Sequence, residues 1–445
     1  MIEKIGYNFY NLNMSRTSEI IQELNNLPKG YISEKTIHGK VYYYLQYLEN
    51  GKITSHYIGS DSVDNTRFLL QKRKNLEEEL NLILNSGNNL HKPGKNSDSF
   101  TGSLMMEDTK VATFENGNLI YINESLCPLY IKRTHNLSGF LKSRAIDQTR
   151  TNARLLKKVL GIKDNEEEKI VLYAYGASIT DNYWFKPKGS KLKYSDISFD
   201  IDFYSDLALK GELIVFPKTP KLTPQLTTPG SYEKCWKKPG DTWWLYKKGN
   251  KEEIFSELFC SKLAKKLKIP TAVYEYDDGF IRSKNFADKY NFEPMSSLAS
   301  DDDSFDHVFS VLLPLGKKFT KHYITLCWFD CLVNNVDRHN ENCGLMRDKK
   351  TGKIVDLAPN FDNNLALISR SPVLNLDPRK DGLISMFATF LRKNKEAAEI
   401  YKELVFPELN NKIIEDCFND IPIDENKELI TKFLLNRYNY LLSLQ

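Results

Sequence analysis

At 445 residues the chain exceeds the ~100–200 usual for one domain, so two or three folding units are expected. Hydrophobic residues at 41% and aromatics at 12% exclude a disordered chain, while 62 Lys plus Arg against 58 Asp plus Glu, a net +4, excludes a polyanion partner held by overall charge. No apolar leader and no run of about 18 apolar residues occurs, so a cytoplasmic protein without membrane association is expected, and seven scattered cysteines with no CxxC pair suit buried thiols in a reducing compartment.

In chain order, a short helical stretch comes first. Residues 40–48 (KVYYYLQYL) and 53–58 (ITSHYI) are aromatic and β-branched runs about Asn50-Gly51, a strong hairpin signal. A charged helix is expected from about Asn65 to Leu84, which completes an accessory unit over 1–84. Residues 85–103, rich in Gly, Asn and Ser, read as a linker. The next segment, 104–165, holds short strands at 110–114 and 118–122 and then a helical pattern over 141–163. There Arg150, Arg154 and Lys158 at i, i+4 and i+8 form a basic ridge, either a solvated face or a docking surface for an acidic partner or RNA. Residues 166–286 are strand-rich and 287–445 mainly helical, a β-rich lobe followed by an α-rich one.

The densest chemistry lies at the start of the second lobe. An apolar helix over 321–333 breaks at Asn334-Asn335 and is followed by Asp337-Arg338-His339-Asn340-Glu341-Asn342, a hairpin, and Ala358-Pro359-Asn360-Phe361-Asp362. Phosphoryl transfer needs such a set: a carboxylate to orient or deprotonate the attacking hydroxyl, and oxygen ligands for Mg²⁺, which keeps several waters and asks little of the protein. Asp337 fits the base, and Asn342 and Asp362 fit the metal ligands. His339 reads as a structural residue of the loop, and Arg338 as neutralising phosphate or pairing with a carboxylate. Turn chemistry alone would give a polar loop without this order.

Neither GxGxxG nor GxxxxGK[ST] occurs. Thr227-Thr228-Pro229-Gly230-Ser231-Tyr232-Glu233-Lys234 is the candidate phosphate loop instead: Gly230 permits close backbone approach, successive N–H groups including that of Ser231 form an anion nest, and Lys234 supplies a charge. Lys247, at the end of a strand over 241–247, is the candidate ATP lysine, with Lys248 as its rival. In the helix over 251–267, Phe255, Phe259, Leu263 and Leu267 form a core stripe and Glu257 lies on the other side, where periodicity does not choose it over Glu253.

Asp337-x-His339-x-x-Asn342 followed by Ala358-Pro-x-x-Asp362 resembles the catalytic and metal-binding loops of HipA-type serine/threonine kinases, and residues 227–234 resemble their short phosphate loop. The likeness spans roughly 165–445, and loosely Arg144 to Asp147 and Asp181 to Trp184. It implies an α+β, two-lobed HipA-like kinase fold preceded by a small hairpin-containing domain, with ATP and Mg²⁺ as cofactors and a Lys247–Glu257 pair. It also implies silencing by autophosphorylation at Thr227, with Thr228 and Ser231 as neighbours. A protein substrate such as an aminoacyl-tRNA synthetase and a small DNA-binding antitoxin are the partners implied, although residues 1–100 fall outside the likeness.

Two other readings remain. Phosphatidylinositol kinases carry a similar Asp-Arg-His-x-x-Asn string, but residues 363–382 hold only Arg370, Arg379 and Lys380, no polybasic membrane patch. A nucleotide-sensing pseudokinase fused to a nucleic-acid or partner-binding module is the other, with nucleic acid left open. Residues 30–80 carry seven Lys/Arg and seven Asp/Glu, and the aromatics from Tyr42 to Tyr47 could stack on bases but are more often core or cross-strand pairs.

Overall fold

The computed structural model describes residues 16, 19–37, 39–49, 52–85, 89–91, 100–115, 118–200, 202–212, 219–369 and 374–445. The first unit is an antiparallel meander of β1 (Tyr31–Ile37), β2 (Lys40–Glu49) and β3 (Lys52–Ile58), followed by α1 (Ser60–Asn85). Tyr44 stands opposite Tyr57 and Leu48 opposite Ile53. The Asn50-Gly51 turn lies outside the described residues. The helix begins five residues before the expected Asn65, and Leu76 and Leu80 on it pack against Ile20 and Leu24.

The second unit is built on a four-stranded sheet of order β6-β5-β4-β7, from β4 (Gly102–Met106), β5 (Thr109–Glu115), β6 (Asn118–Tyr121) and β7 (Tyr183–Pro187). β4 begins inside the segment read as linker, and β7 comes from the segment assigned to the following lobe. Their pairing spans about eighty residues of sequence and is fixed by a shared core that includes Leu104, Met106, Tyr183 and Phe185, which local periodicity does not reveal. Of the remaining linker, residues 86–88 and 92–99 lie outside the described residues, while Leu90 donates to the Pro220 carbonyl and His91 to that of Tyr173.

After α2 (Leu129–Thr134), the single helix expected over 141–163 is divided: α3 (Leu137–Lys142) ends at its start, α4 (Thr151–Leu160) follows a break, and α5 (Glu167–Leu172) lies beyond it. Within the break, the Asp147 side chain accepts from both the N–H and the hydroxyl of Thr149, a turn that competes with helix. Arg150 precedes α4 with an extended ψ of 134° and is 2% exposed, so it leaves the expected basic ridge.

After α6 (Ser205–Lys210), the third sheet has the order β10-β11-β9-β8, from β8 (Lys234–Lys237), β9 (Trp244–Lys247), β10 (Tyr274–Asp277) and β11 (Phe280–Lys284). Between β9 and β10 runs α7 (Lys251–Lys266), opened by a reciprocal cap between Asn250 and Glu253. It is buried on nearly every side: Ile254 and Leu258 pack with Ile281 of the sheet, while Phe255 and Phe259 meet Phe418 at 5.9 and 4.9 Å.

The last lobe contains β12 (Tyr290–Pro294), β13 (Gly344–Asp348) and β14 (Ile354–Leu357) in a small sheet. Around it stand α8 (Phe305–Leu312), α9 (Lys317–Val333), α10 (Gly382–Lys393), α11 (Lys395–Glu403), α12 (Asn411–Phe418) and α13 (Lys427–Leu442). Ser304, Asp381, Asn394, Asn410 and Asn426 each accept a backbone N–H in the first turn of their helix, which sets where those helices start. Trp328 of α9 is fully buried and stacks on Phe406 at 3.8 Å. The fold is α+β, with a β-rich lobe followed by an α-rich lobe. All seven cysteines are free and buried, and among the described residues no helix is long and apolar enough to cross a membrane.

Candidate functional site

Helix α9 stops because Asn334 turns left-handed, at φ 57°. Asn335 then bridges, donating to Asp330 at 3.1 Å and accepting the Asp337 N–H at 3.3 Å. Arg338 does not face the cleft. It donates to the Asp330 carboxylate, to Asn360 and Asn363 side chains, and to the Asn342 and Phe361 carbonyls, so one guanidinium ties the 335–342 loop to the 358–364 loop. The Arg338 and Asp330 side chains are 7% and 2% exposed; burial raises the Asp330 carboxyl, and Arg338 opposes that rise. His339 accepts the Glu341 N–H on its Nδ1 and shapes the loop.

With the loop so held, Asp337 is half-buried and Asn342 donates its amide to the Asp337 carbonyl at 3.0 Å. Asp362 faces them from the second loop, at a left-handed φ of 57°. Its N–H donates to the Tyr274 hydroxyl at 3.0 Å, and its carboxylate forms an ion pair with Lys247. Burial alone would raise the Asp362 carboxyl, but Lys247 and Lys234 outweigh it and hold it at about 2. The expected Lys247–Glu257 pair is therefore not the contact formed: Lys247 binds Asp362. Glu257, 1% exposed, is held by the Tyr274 hydroxyl and the Asn363 N–H, and burial followed by the Asp362 charge pushes its carboxyl up to about 7. Lys248 is exposed and lies outside the cleft lining.

The candidate phosphate loop is clamped at both ends. At its base, half-buried Asp202 accepts from the Thr223 hydroxyl at 2.5 Å and from Gln225 at 2.9 Å, while Gln225 also brackets the backbone of Trp236 in β8. At its tip, Arg150 donates to the carbonyls of Thr228, Pro229 and Gly230 at 2.8, 2.9 and 2.6 Å. In a trans peptide the N–H points opposite to the C=O. The Gly230 and Ser231 N–H groups are thereby turned away from Arg150, as an anion nest requires. Gly230 sits at φ +95°, and a Cβ there would come within 2.4 Å of Lys234 Nζ, which curls beneath it. Lys234 is 9% exposed and makes no ion pair among the described residues; burial, then the Lys247 charge, lowers it to about 7.

Thr227 and Thr228 are 2% and 3% exposed and donate their hydroxyls to the Pro224 carbonyl, whereas Ser231 is exposed at the rim. A cleft of about 510 Å³ between the lobes is lined by Thr227, Thr228, Gly230, Ser231, Lys234, Lys247, Glu257, Asp337, His339, Asn342 and Asp362. Leu245, Ile281, Phe286 and Phe361 give it an apolar wall beside the 283–285 connection. Arg150, Asp202, Gln225 and Tyr274 were missed by sequence reading, because each acts through a contact remote in sequence; Arg150 was even concealed by a helical spacing.

A family model described as a domain of unknown function, DUF6788, matches residues 14–67. No curated protein matches the chain. Among solved structures the chain is similar to a Helicobacter pylori proinflammatory kinase, CtkA, at 16% identity over 47% of this chain and 92% of that one, with a TM-score of 0.34. It is similar also to HipA of Shewanella oneidensis MR-1, solved with HipB and operator DNA, at 14% identity over 77% of this chain and 97% of that one, with a TM-score of 0.46. The chemistry therefore has to stand on the chain's own residues.

Proposed function

We propose that the chain is an ATP- and Mg²⁺-dependent serine/threonine protein kinase of HipA type. The observation that supports this is the convergence of Asp337, Asn342 and Asp362 with Lys234 and Lys247 on one cleft. The residues fit the cofactor: a nine-tenths-buried lysine with no ion-pair contact among the described residues, under a loop of inward N–H groups, suits a polyphosphate, and the Asn342 and Asp362 oxygens suit a hard cation. Asn342 and Asp362 would hold Mg²⁺, which when bound would supply neutralisation of phosphate charge.

In this reading Lys247 and Lys234 neutralise phosphate charge, and the Gly230 and Ser231 N–H groups fix its position. Asp337 orients the acceptor hydroxyl and takes its proton as the new O–P bond forms and the bond to the β-phosphate oxygen breaks. On the motif resemblance we extend the proposal to a protein acceptor, in the first instance an aminoacyl-tRNA synthetase, to an antitoxin partner and to a cytoplasmic setting. Autophosphorylation at Thr227 would require the loop to leave first, since that hydroxyl is buried, and the added charge would then oppose its return.

Transfer of labelled γ-phosphate to a synthetase panel is expected with wild type and lost with Asp337→Ala and Asp362→Ala. Intact mass should rise by one phosphate on incubation with ATP, and not in Thr227→Ala. Bound ATP with no transfer and no change of mass would overturn the kinase in favour of a nucleotide sensor; transfer to a phosphoinositide would favour a lipid kinase.

A further inference from the structure

The three-stranded sheet at the start of the chain is unusual in burying nothing: no described side chain of β1, β2 or β3 is buried. Its two faces differ. One lies toward α1, where Arg67 bonds Glu34 at 3.1 Å and covers the Tyr43 ring. The other is open. By strand alternation and register it carries Tyr31 from β1, Tyr42 and Tyr44 from β2 and Tyr57 from β3. Tyr57 is 61% exposed and Tyr31 56%, and at the hairpin end Leu48 and Ile53 reach 72% and 68%.

Charge separates in the same way. The balanced tally of this segment hides the fact that its carboxylates sit on α1 and, by strand alternation at Glu34 and Glu49, on the covered face. The open face presents Lys35, whose ammonium lies 4.9 Å from the Tyr44 ring, and Lys40, with no acidic side chain among the described residues. Tyr57 sits between Tyr42 and Tyr44, with ring centroids 6.1 and 5.7 Å away, and Gln46 and Ser55 add polar groups between the rings.

Flat aromatic faces, cationic charge and no carboxylate complement an anionic chain that has π-faces of its own. We propose that this open face binds single-stranded nucleic acid by stacking about two or three bases on the tyrosines, with Lys35 and Lys40 on the phosphates. The duplex, whose bases are already stacked, is not a ligand for such a face. The proposal is independent of the kinase reading.

Fluorescence anisotropy of labelled oligothymidylate and oligouridylate of about a dozen residues, titrated with the full chain at low and physiological salt, tests it. Saturable binding is expected, weakened about 5- to 100-fold in Tyr57→Ala. Lys35→Glu should weaken binding and lower the salt slope by about one. Tyr47→Ala, on the covered face, should leave binding unchanged, with thermal melts showing all variants folded. Absence of binding at low salt, equal binding by Tyr57→Ala, or equal affinity for a duplex would overturn it. Concentration-dependent self-association that Tyr57→Ala abolishes, without oligonucleotide binding, would mark the face as a protein interface and overturn it as well.

Discussion

Two buried groups in the cleft carry opposite costs. Glu257 titrates at about 7 in the fold against an ordinary 4.5, so the folded state holds its proton more tightly. Its stabilising effect is complete below pH 4.5 and is lost as pH rises to 7. Lys234 titrates at about 7 against 10.5, so the unfolded state holds that proton more tightly, and stability recovers as pH rises from 7 to 10.5. The two groups together are thus most costly near neutral pH. Melting temperature against pH should show a shallow minimum there; Glu257→Gln should flatten the acid limb and Lys234→Met the alkaline one, and profiles identical to wild type would contradict both assignments. Arg150 acts by geometry rather than titration. Arg150→Ala leaves three carbonyls without their donor, at about 1–3 kcal/mol for each that stays buried, and frees the loop. The KM for ATP should rise about tenfold or more with a smaller loss in kcat, and Arg150→Lys, which cannot reach three carbonyls, should restore little; an unchanged KM would refute the positioning role.

Among elements, the two loops of the cleft depend on one buried ion pair. Replacing Arg338 by Ala strands Asp330 at 2% exposure and should destabilise the fold by about 3–5 kcal/mol, as seen when one partner of a buried pair is removed. Removing both charges, in Arg338→Met with Asp330→Leu, should recover much of the stability in denaturant melts while activity stays low, because the loop-to-loop hydrogen bonds are gone. A double variant as unstable as the single would show that the pair contributes something else. This level also shows what the sequence could reveal. Order along the chain was legible: a helix, a polar Asp-Arg-His-x-x-Asn loop, a hairpin and a second Asp all read from local patterns. So was the two-lobed α+β outline. Contacts across the fold were not. The β4–β7 pairing, the Asp202 clamp and the choice of Asp362 over Glu257 by Lys247 join segments some twenty to more than one hundred residues apart, and no local period encodes them. The helical spacing of Arg150, Arg154 and Lys158 misled for the same reason: the helix starts only at Thr151, and Arg150, extended before it, serves a loop eighty residues on.

For the whole molecule, a ligand that spans the cleft should couple the lobes. A nucleotide at one hundred times its Kd adds about 2.7 kcal/mol to stability, and the shift in melting temperature with a non-hydrolysable ATP analogue should need Mg²⁺ in wild type but not gain from it in Asp362→Asn. An equal Mg²⁺ effect in that variant would place the ion elsewhere. The seven buried cysteines have a use in this context. Cys127 lies in the core of the β4–β7 unit, Cys235 in the third sheet against Ala208 and Leu209 of α6, and Cys260, Cys327, Cys331, Cys343 and Cys417 in the core of the helical lobe. Burial pushes the Cys127 and Cys343 thiols up to about 12, so a thiol-reactive dye has almost no thiolate to attack while the chain stays closed. Each cysteine therefore acts as a native clock for the opening of its own unit. Peptide-resolved labelling without any engineered probe would rank those openings, with Cys235 expected to react before the thiols of α9, and nucleotide would slow Cys235 first.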